Sequence, residues 1–303
     1  MNTRSLAAVA VTAALGLALA GCSQPAADPA DDATLSVVAS TNVYGDIAST
    51  IGGELIEVTS IIDSPDKDPH EYQVDAQNQL AISKADVVIE NGGGYDDFVD
   101  TMLDSAGNES AVILNVTDIS GYDQEPTEGE FNEHLWYDFP TVSKLVDEIV
   151  SALSAADADN AATYTENGEA LKGELTDLEA QEDELKASYA GEGVAITEPV
   201  PLYLLDAVGL ENLTPDEFSE AIEEDTDVPA EVLQQTLALF ADQSVKLLAY
   251  NEQTTGPQTE AVLAAAEENG IAVVPVTETL PDGKTYVEWM QDTLDAIAAA
   301  LHG

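Results

Sequence analysis

Basic residues are scarce in this chain of 303 residues, which has 8 lysines and arginines against 59 aspartates and glutamates and a formal net charge of −51 at pH 7. Arg4 is its only arginine. Nucleic acids and anionic lipid surfaces are bound through a basic footprint, so the composition excludes a nucleic-acid-binding protein. Since the acids are spread over the whole chain, they are typical of a protein kept soluble in a salty habitat. Attraction of cations to the surface is the alternative.

Cysteine occurs once, as Cys22, which excludes an intrachain disulfide and a cysteine-based zinc cluster. An apolar run over residues 6–20 precedes it and is shorter than a membrane-spanning helix, as in a signal-peptide core. The run ends in Leu19-Ala20-Gly21-Cys22, which resembles the bacterial lipobox, whose cysteine is acylated and becomes the new N-terminus. We therefore predict a lipoprotein signal peptide over residues 1–22, lipidation at Cys22, and a location outside the cytoplasm, anchored to the cell membrane.

Strand and helix patterns alternate in two parts of the chain, which predicts an α/β fold with parallel, doubly wound sheets. Between these parts, residues 160–188 lack proline and carry one tyrosine and four leucines at spacings of 7, 4, 3 and 7. A helix of about 29 residues there would span roughly 43 Å. We predict two doubly wound lobes joined by one long backbone helix. The predicted boundaries are a tether over 23–33, a first lobe over 34–158, the helix over 159–189 and a second lobe over 190–303.

The chain has three histidines, of which His302 is the penultimate residue. His70 follows a predicted strand and His134 precedes a predicted helix, and each alone is typical of a surface or capping histidine. Glu198 and Glu278 each follow a predicted strand of the second lobe. Ligands of open α/β sheets bind beyond the carboxyl ends of the strands. In a chain with 59 acids, however, an acid after a strand is weak support by itself.

Five segments carry a family resemblance. Pro69-His70-Glu71-Tyr72 and Asn91-Gly92-Gly93-Gly94-Tyr95 resemble the first lobe of the metal-binding receptors of ABC importers, the TroA-like solute-binding protein family 9. His134-Leu135-Trp136-Tyr137-Asp138 resembles the second-ligand motif of that family. Thr197-Glu198-Pro199 and Thr277-Glu278-Thr279 fall where the family has its third and fourth ligands.

This resemblance implies a metal site made of His70, His134, Glu198 and Glu278. The family usually has aspartate at the fourth position, so Asp282 is the substitute for Glu278. Two neutral imidazoles and two carboxylates neutralise a divalent cation. Imidazole suits zinc and iron, whereas carboxylate oxygen favours manganese, so Zn²⁺ and Mn²⁺ both remain open as the cargo ion.

The resemblance further implies a monomeric, lipid-anchored receptor that captures the ion between its lobes and delivers it to an ABC permease with its ATPase. Such a protein is not an enzyme. Ligands divided between two lobes bind fully only in the closed arrangement, which the metal would favour. Three alternatives stay open: a secreted metalloenzyme with two histidines and one carboxylate, a receptor for a non-metal solute, and a structural surface protein. A solute such as an amino acid would call for a carboxylate-binding arginine, which the chain lacks beyond Arg4.

Overall fold

The computed structural model describes residues 34–64, 72, 74–127 and 129–302. The predicted signal peptide, the tether, Cys22 and His70 lie outside the described residues. The described chain contains two four-stranded sheets whose paired strands are all parallel. This confirms the predicted α/β fold class with two parallel sheets. The boundaries between lobes remain predictions.

The first sheet has the strand order β2-β1-β3-β4. In β1, Val37 and Ala39 face a core that extends to the second sheet, whereas Val38 faces a separate cluster on the other side. This alternation is what a strand covered by helices on both faces requires. The elements of this half are β1 (Leu35–Thr41), α1 (Asn42–Gly52), β2 (Ile56–Ile62), α2 (Ala76–Ile82), β3 (Val87–Glu90), α3 (Phe98–Ala106), β4 (Val112–Asn115), α4 (Val116–Ser120) and α5 (Phe139–Ala156).

The long helix α6 (Ala161–Tyr189) has 29 residues, as its pattern predicts. The predicted tyrosine and leucine stripe is buried along its length. At Gly168 the helix approaches α5 so closely that an added Cβ would lie 2.5 Å from a methyl group of Val150. No helix in the described part of the chain is long and apolar enough to span a membrane.

The second sheet repeats the topology of the first, with the order β6-β5-β7-β8. The sequence pattern predicts no strand or helix between residues 209 and 245, yet β6, α8 and α9 lie there. The elements of this half are β5 (Gly193–Ile196), α7 (Leu202–Ala207), β6 (Glu211–Asn212), α8 (Asp216–Glu223), α9 (Ala230–Ala241), β7 (Leu247–Asn251), α10 (Pro257–Glu268), β8 (Ala272–Val276) and α11 (Tyr286–His302).

Hydrogen bonds join the two halves directly. The Asn42 side chain donates to the Leu280 carbonyl and accepts from the Leu280 N–H, both at 2.9 Å. The Tyr286 hydroxyl donates to the Trp136 carbonyl at 2.6 Å. One apolar core also continues from the first sheet through α6 to the second sheet. Large separation of the halves would break these contacts, so the fold favours small movements of loops over wide opening.

Candidate metal centre

The centre lies beyond the carboxyl ends of the strands, where the strand order of each sheet reverses. In the first sheet this point is between β1 and β3, and in the second it is between β5 and β7. Such switch points are where open α/β sheets bind ligands. A cavity of about 890 Å³ opens there between residues 129–133 of the first half and residues of the second half. The described residues that line it include no lysine or arginine, and its acidic lining consists of Glu130, Glu133, Glu198, Asp216, Glu220, Glu223, Glu224 and Asp225. We call it the acidic cavity.

His134 is fully buried at the edge of this cavity. The three residues that follow it, 135–137, form a single buried helical turn. Asp138 then caps α5 by accepting a hydrogen bond from the Thr141 N–H at 3.1 Å. The apolar turn on one side and the helix cap on the other therefore fix the backbone that carries His134.

The orientation of the Asn132 side chain determines the tautomer of His134. Its Nδ2 donates to the Pro199 carbonyl at 3.1 Å, and its Oδ1 accepts from the His134 N–H at 3.1 Å. The same Oδ1 lies 2.7 Å from His134 Nδ1, so Nδ1 carries the proton and donates it. In the neutral imidazole the lone pair is then on Nε2. A neutral histidine whose other nitrogen is held by such a hydrogen bond is a typical metal ligand.

The Asn91-Gly92-Gly93-Gly94-Tyr95 motif supports the backbone of the same loop. The Asn91 side chain donates to the Glu133 carbonyl at 2.9 Å and also accepts from the Tyr44 hydroxyl. Asp96 accepts from the Asn91 and Gly92 N–H groups at 2.7 and 2.8 Å. The motif therefore joins the end of β3 to the loop before His134.

Tyr95, the last residue of this motif, is buried beside His134. The Tyr95 ring lies 6.1 Å from that of His134. Burial raises the pKa of its hydroxyl, and the nearby charges of Glu278 and Glu223 raise it further. Carboxylates of the second half therefore act on the pKa of a tyrosine whose ring packs beside His134.

Glu278 is buried at the carboxyl end of the second sheet, two residues beyond β8. Its Oε1 accepts a hydrogen bond at 2.9 Å from Asn251, the last residue of β7. Its backbone N–H donates to the Gln253 side chain at 2.6 Å. Asp282 is exposed to solvent in the turn before α11. Of the two acids considered for the fourth position, the buried and oriented one is thus Glu278.

Glu198 follows β5 and is also buried, with 3% of its surface exposed. It lines the acidic cavity together with Pro199. The Pro199 carbonyl is the group that orients Asn132. The segment that carries Glu198 is therefore linked through one asparagine to the histidine of the other half.

Glu223, the last residue of α8, is a candidate ligand that the sequence analysis did not identify. Its Oε1 lies 3.4 Å from His134 Nε2. Among the described residues, one group of potential metal ligands has its ligand atoms within 4.8 Å of one another, and it consists of Glu133, His134 and Glu223. Glu198 and Glu278 are not in that group. The helix around Glu223 is amphipathic, because its buried residues include Phe218 and Ile222, which are spaced by four positions. Nothing in that pattern marked one glutamate among 59 acids.

Comparisons with known proteins identify the family of the chain. The family model described as "ZnuA: Zinc-uptake complex component A periplasmic" matches residues 37–300. The chain is 27% identical over 239 residues to the manganese-binding lipoprotein MntA of Halalkalibacterium halodurans, covering 74% of this chain and 79% of that protein. It is 26% identical over 306 residues to the metal ABC transporter substrate-binding lipoprotein SsaB of Streptococcus sanguinis, covering 93% and 94%.

Among solved structures, the substrate-binding protein FpvC from Pseudomonas aeruginosa in complex with Mn²⁺ has the same fold. The TM-score is 0.72 at 22% identity, covering 89% of this chain and 99% of that chain. The sequence match to the family model extends over most of the chain. The protein therefore belongs to the zinc-uptake component A family of metal-binding substrate-binding proteins.

Proposed function

We propose that this protein is a monomeric, extracytoplasmic receptor that captures one Zn²⁺ or Mn²⁺ ion between its two halves and delivers it to an ABC permease with its ATPase. Its acylated Cys22 would hold it at the cell membrane. The relatives named above are a manganese-binding lipoprotein and a substrate-binding lipoprotein of a metal ABC transporter. Their names describe capture and transport of metal and no chemical conversion, which supports a binding role over an enzymatic one.

The observation that carries the proposal is the fixed tautomer of His134. The hydrogen bond of Nδ1 to Asn132 leaves the Nε2 lone pair of a fully buried imidazole beside a cavity lined by eight acids. Negatively charged cavities with low-dielectric walls attract cations. A neutral imidazole nitrogen supplies the affinity for a transition metal that carboxylates alone do not give.

The proposed ligands are His70, His134, Glu198 and Glu278. The burial of Glu278 and its hydrogen bond to Asn251 support it over Asp282 as the fourth ligand. Glu198 and Glu278 extend from the second sheet, whereas the histidines belong to the first half. An ion held by both halves would stabilise the closed arrangement, and the permease could read that arrangement from the loops around the cavity.

The test is thermal unfolding of the purified, chelator-stripped protein with added Zn²⁺ or Mn²⁺, at high salt to suppress binding to the acidic surface. A ligand specific for the folded state stabilises it by about 2.7 kcal/mol at a hundredfold excess over its dissociation constant. We expect His134→Ala to lose this stabilisation. His302→Ala is the matched control, because His302 is an exposed histidine at the end of α11. Equal stabilisation of the two variants would overturn the proposed site.

The lipid anchor needs a separate experiment. Replacing Cys22 by alanine removes the thiol that acylation requires. We expect the wild-type protein in the membrane fraction and the Cys22→Ala variant outside it, with unchanged metal binding. A variant that still sediments with membranes would show that the anchor is not this cysteine.

A further inference from the structure

We propose that Glu223 is a direct ligand of the captured ion and makes the site selective for Mn²⁺ over Zn²⁺. This inference rests on the proposed function and adds a residue outside the predicted ligand set. Glu223 reaches the site from α8, an element that carries none of the predicted ligands.

The distance between the two candidate ligand atoms supports direct coordination. Two ligands bonded at about 2.1 Å to one ion lie roughly 3.0 Å apart at a right angle and roughly 3.4 Å apart at the tetrahedral angle. His134 Nε2 and Glu223 Oε1 are separated by 3.4 Å. One ion can therefore contact both atoms without movement of either side chain.

The chemistry of the two atoms also favours an ion between them. The contact of Nδ1 with Asn132 places the lone pair of the neutral imidazole on Nε2. An ionised carboxylate has only acceptor sites. A cation between two electron-pair donors at this distance attracts both of them.

The backbone that follows Glu223 keeps this residue at the wall of the acidic cavity. Asp225 has a left-handed φ of 50°, and the Thr226 N–H closes the helix end by donating to the Ala221 carbonyl at 2.8 Å. Aspartate is one of the few residues besides glycine that adopt this conformation readily, so the sequence suits this helix end. The carbonyl end of α8 also adds partial negative charge next to the site.

A third carboxylate ligand changes the relative affinity of the site for Mn²⁺ and Zn²⁺. Zn²⁺ prefers four ligands and binds imidazole well, whereas Mn²⁺ accepts more oxygen ligands and a higher coordination number. With Glu198, Glu278 and Glu223 around the ion, the donor set contains more carboxylate oxygen than imidazole nitrogen. Removal of Glu223 should therefore weaken Mn²⁺ binding more than Zn²⁺ binding.

The experiment compares Glu223→Gln with Glu220→Gln by calorimetric titration of the metal-free protein with Mn²⁺ and with Zn²⁺. Glu220 lies one turn earlier on α8 and lines the same acidic cavity, so its replacement removes the same charge. We expect Glu223→Gln to raise the dissociation constant for Mn²⁺ about tenfold or more, and that for Zn²⁺ by less than about threefold. Glu220→Gln should change both by less than about threefold.

The following results would overturn the inference. Equal effects of the two glutamine variants would mean that Glu223 acts only through its charge. Tighter metal binding by Glu223→Gln would mean that the carboxylate holds a protonated His134 and competes with the ion. Full metal binding by His134→Ala would refute the proposed site as a whole. Loss of binding in His134→Ala with no specific effect of Glu223→Gln would refute only the role of Glu223.

A crystal structure of the wild-type protein with Mn²⁺ gives a result that does not depend on folding of any variant. A Glu223 oxygen within about 2.5 Å of the ion supports direct coordination. An ion bound at His134 with the Glu223 carboxylate beyond that distance overturns it.

Discussion

Glu182 allows a quantitative test of how burial affects one acid of this highly charged chain. It lies on α6 with 5% of its surface exposed. Burial raises the pKa of its carboxyl from the usual 4.5 to about 8, and the charges of Glu179 and Asp138 also raise it. The folded protein therefore favours the neutral acid, whereas the unfolded chain releases the proton near pH 4.5.

The sign of the pH dependence follows from this difference. Stability from the neutral carboxyl is fully present below about pH 4.5 and is lost as the pH rises through about 8. Each pH unit in that interval lowers the free energy of unfolding by about 1.4 kcal/mol. The upper limit of the loss is roughly 5 kcal/mol over the whole interval.

The assay is urea unfolding of the metal-free protein at pH 5, 6.5 and 8.5 and constant salt. Glu182→Gln keeps the size of the side chain and carries no charge at any pH. We expect it to match the wild type at pH 5 and to exceed it by several kcal/mol at pH 8.5. Glu184→Gln, at an exposed position two residues further along α6, controls for removal of one charge from this acidic protein. Parallel pH profiles for the two variants would refute the reasoning.

Three further changes test contacts of the fold and site. Gly168→Ala should lower the free energy of unfolding by about 1–3 kcal/mol because the new Cβ would lie 2.5 Å from Val150; in thermal unfolding, Val150→Ala should restore part of the loss. Asn42→Ala should cost about 1–3 kcal/mol in the same assay, since the N–H and carbonyl of Leu280 lose their partner. Asn132→Ala should weaken metal binding about 10–100-fold by freeing the histidine ring, with little effect on unfolding of the metal-free protein. Unchanged affinity in calorimetry would contradict that role.

Local patterns were sufficient for much of the fold. The two parallel sheets form as the alternating patterns predict, and the predicted long helix is α6 within one or two residues at each end. Both predictions rest on apolar patterns that involve only residues close together in the sequence. Elements between residues 209 and 245 were missed, although α8 and α9 each have buried apolar residues. Their apolar patterns are short, and a short helix forms mainly through tertiary packing.

The site was less accessible to sequence reasoning because its members come from distant parts of the chain. His134 and the acids after β5 and β8 were identified from motifs and strand ends, and their roles as ligands remain predictions. His70 lies outside the described residues, so its place in the site is also still a prediction. Glu223 has no motif, and only the packing of α8 against the cavity brings it to His134.

The sequence by itself determined the two parallel sheets, the 29-residue helix between them and the family to which the chain belongs. These properties follow from local periodicity and short motifs, which do not depend on long-range contacts. The tertiary structure decided which of many similar acids is buried, which nitrogen of His134 carries the lone pair and which carboxylate faces it. Burial and hydrogen bonding depend on neighbours that are remote in sequence, and those neighbours meet only when both sheets pack around one long helix.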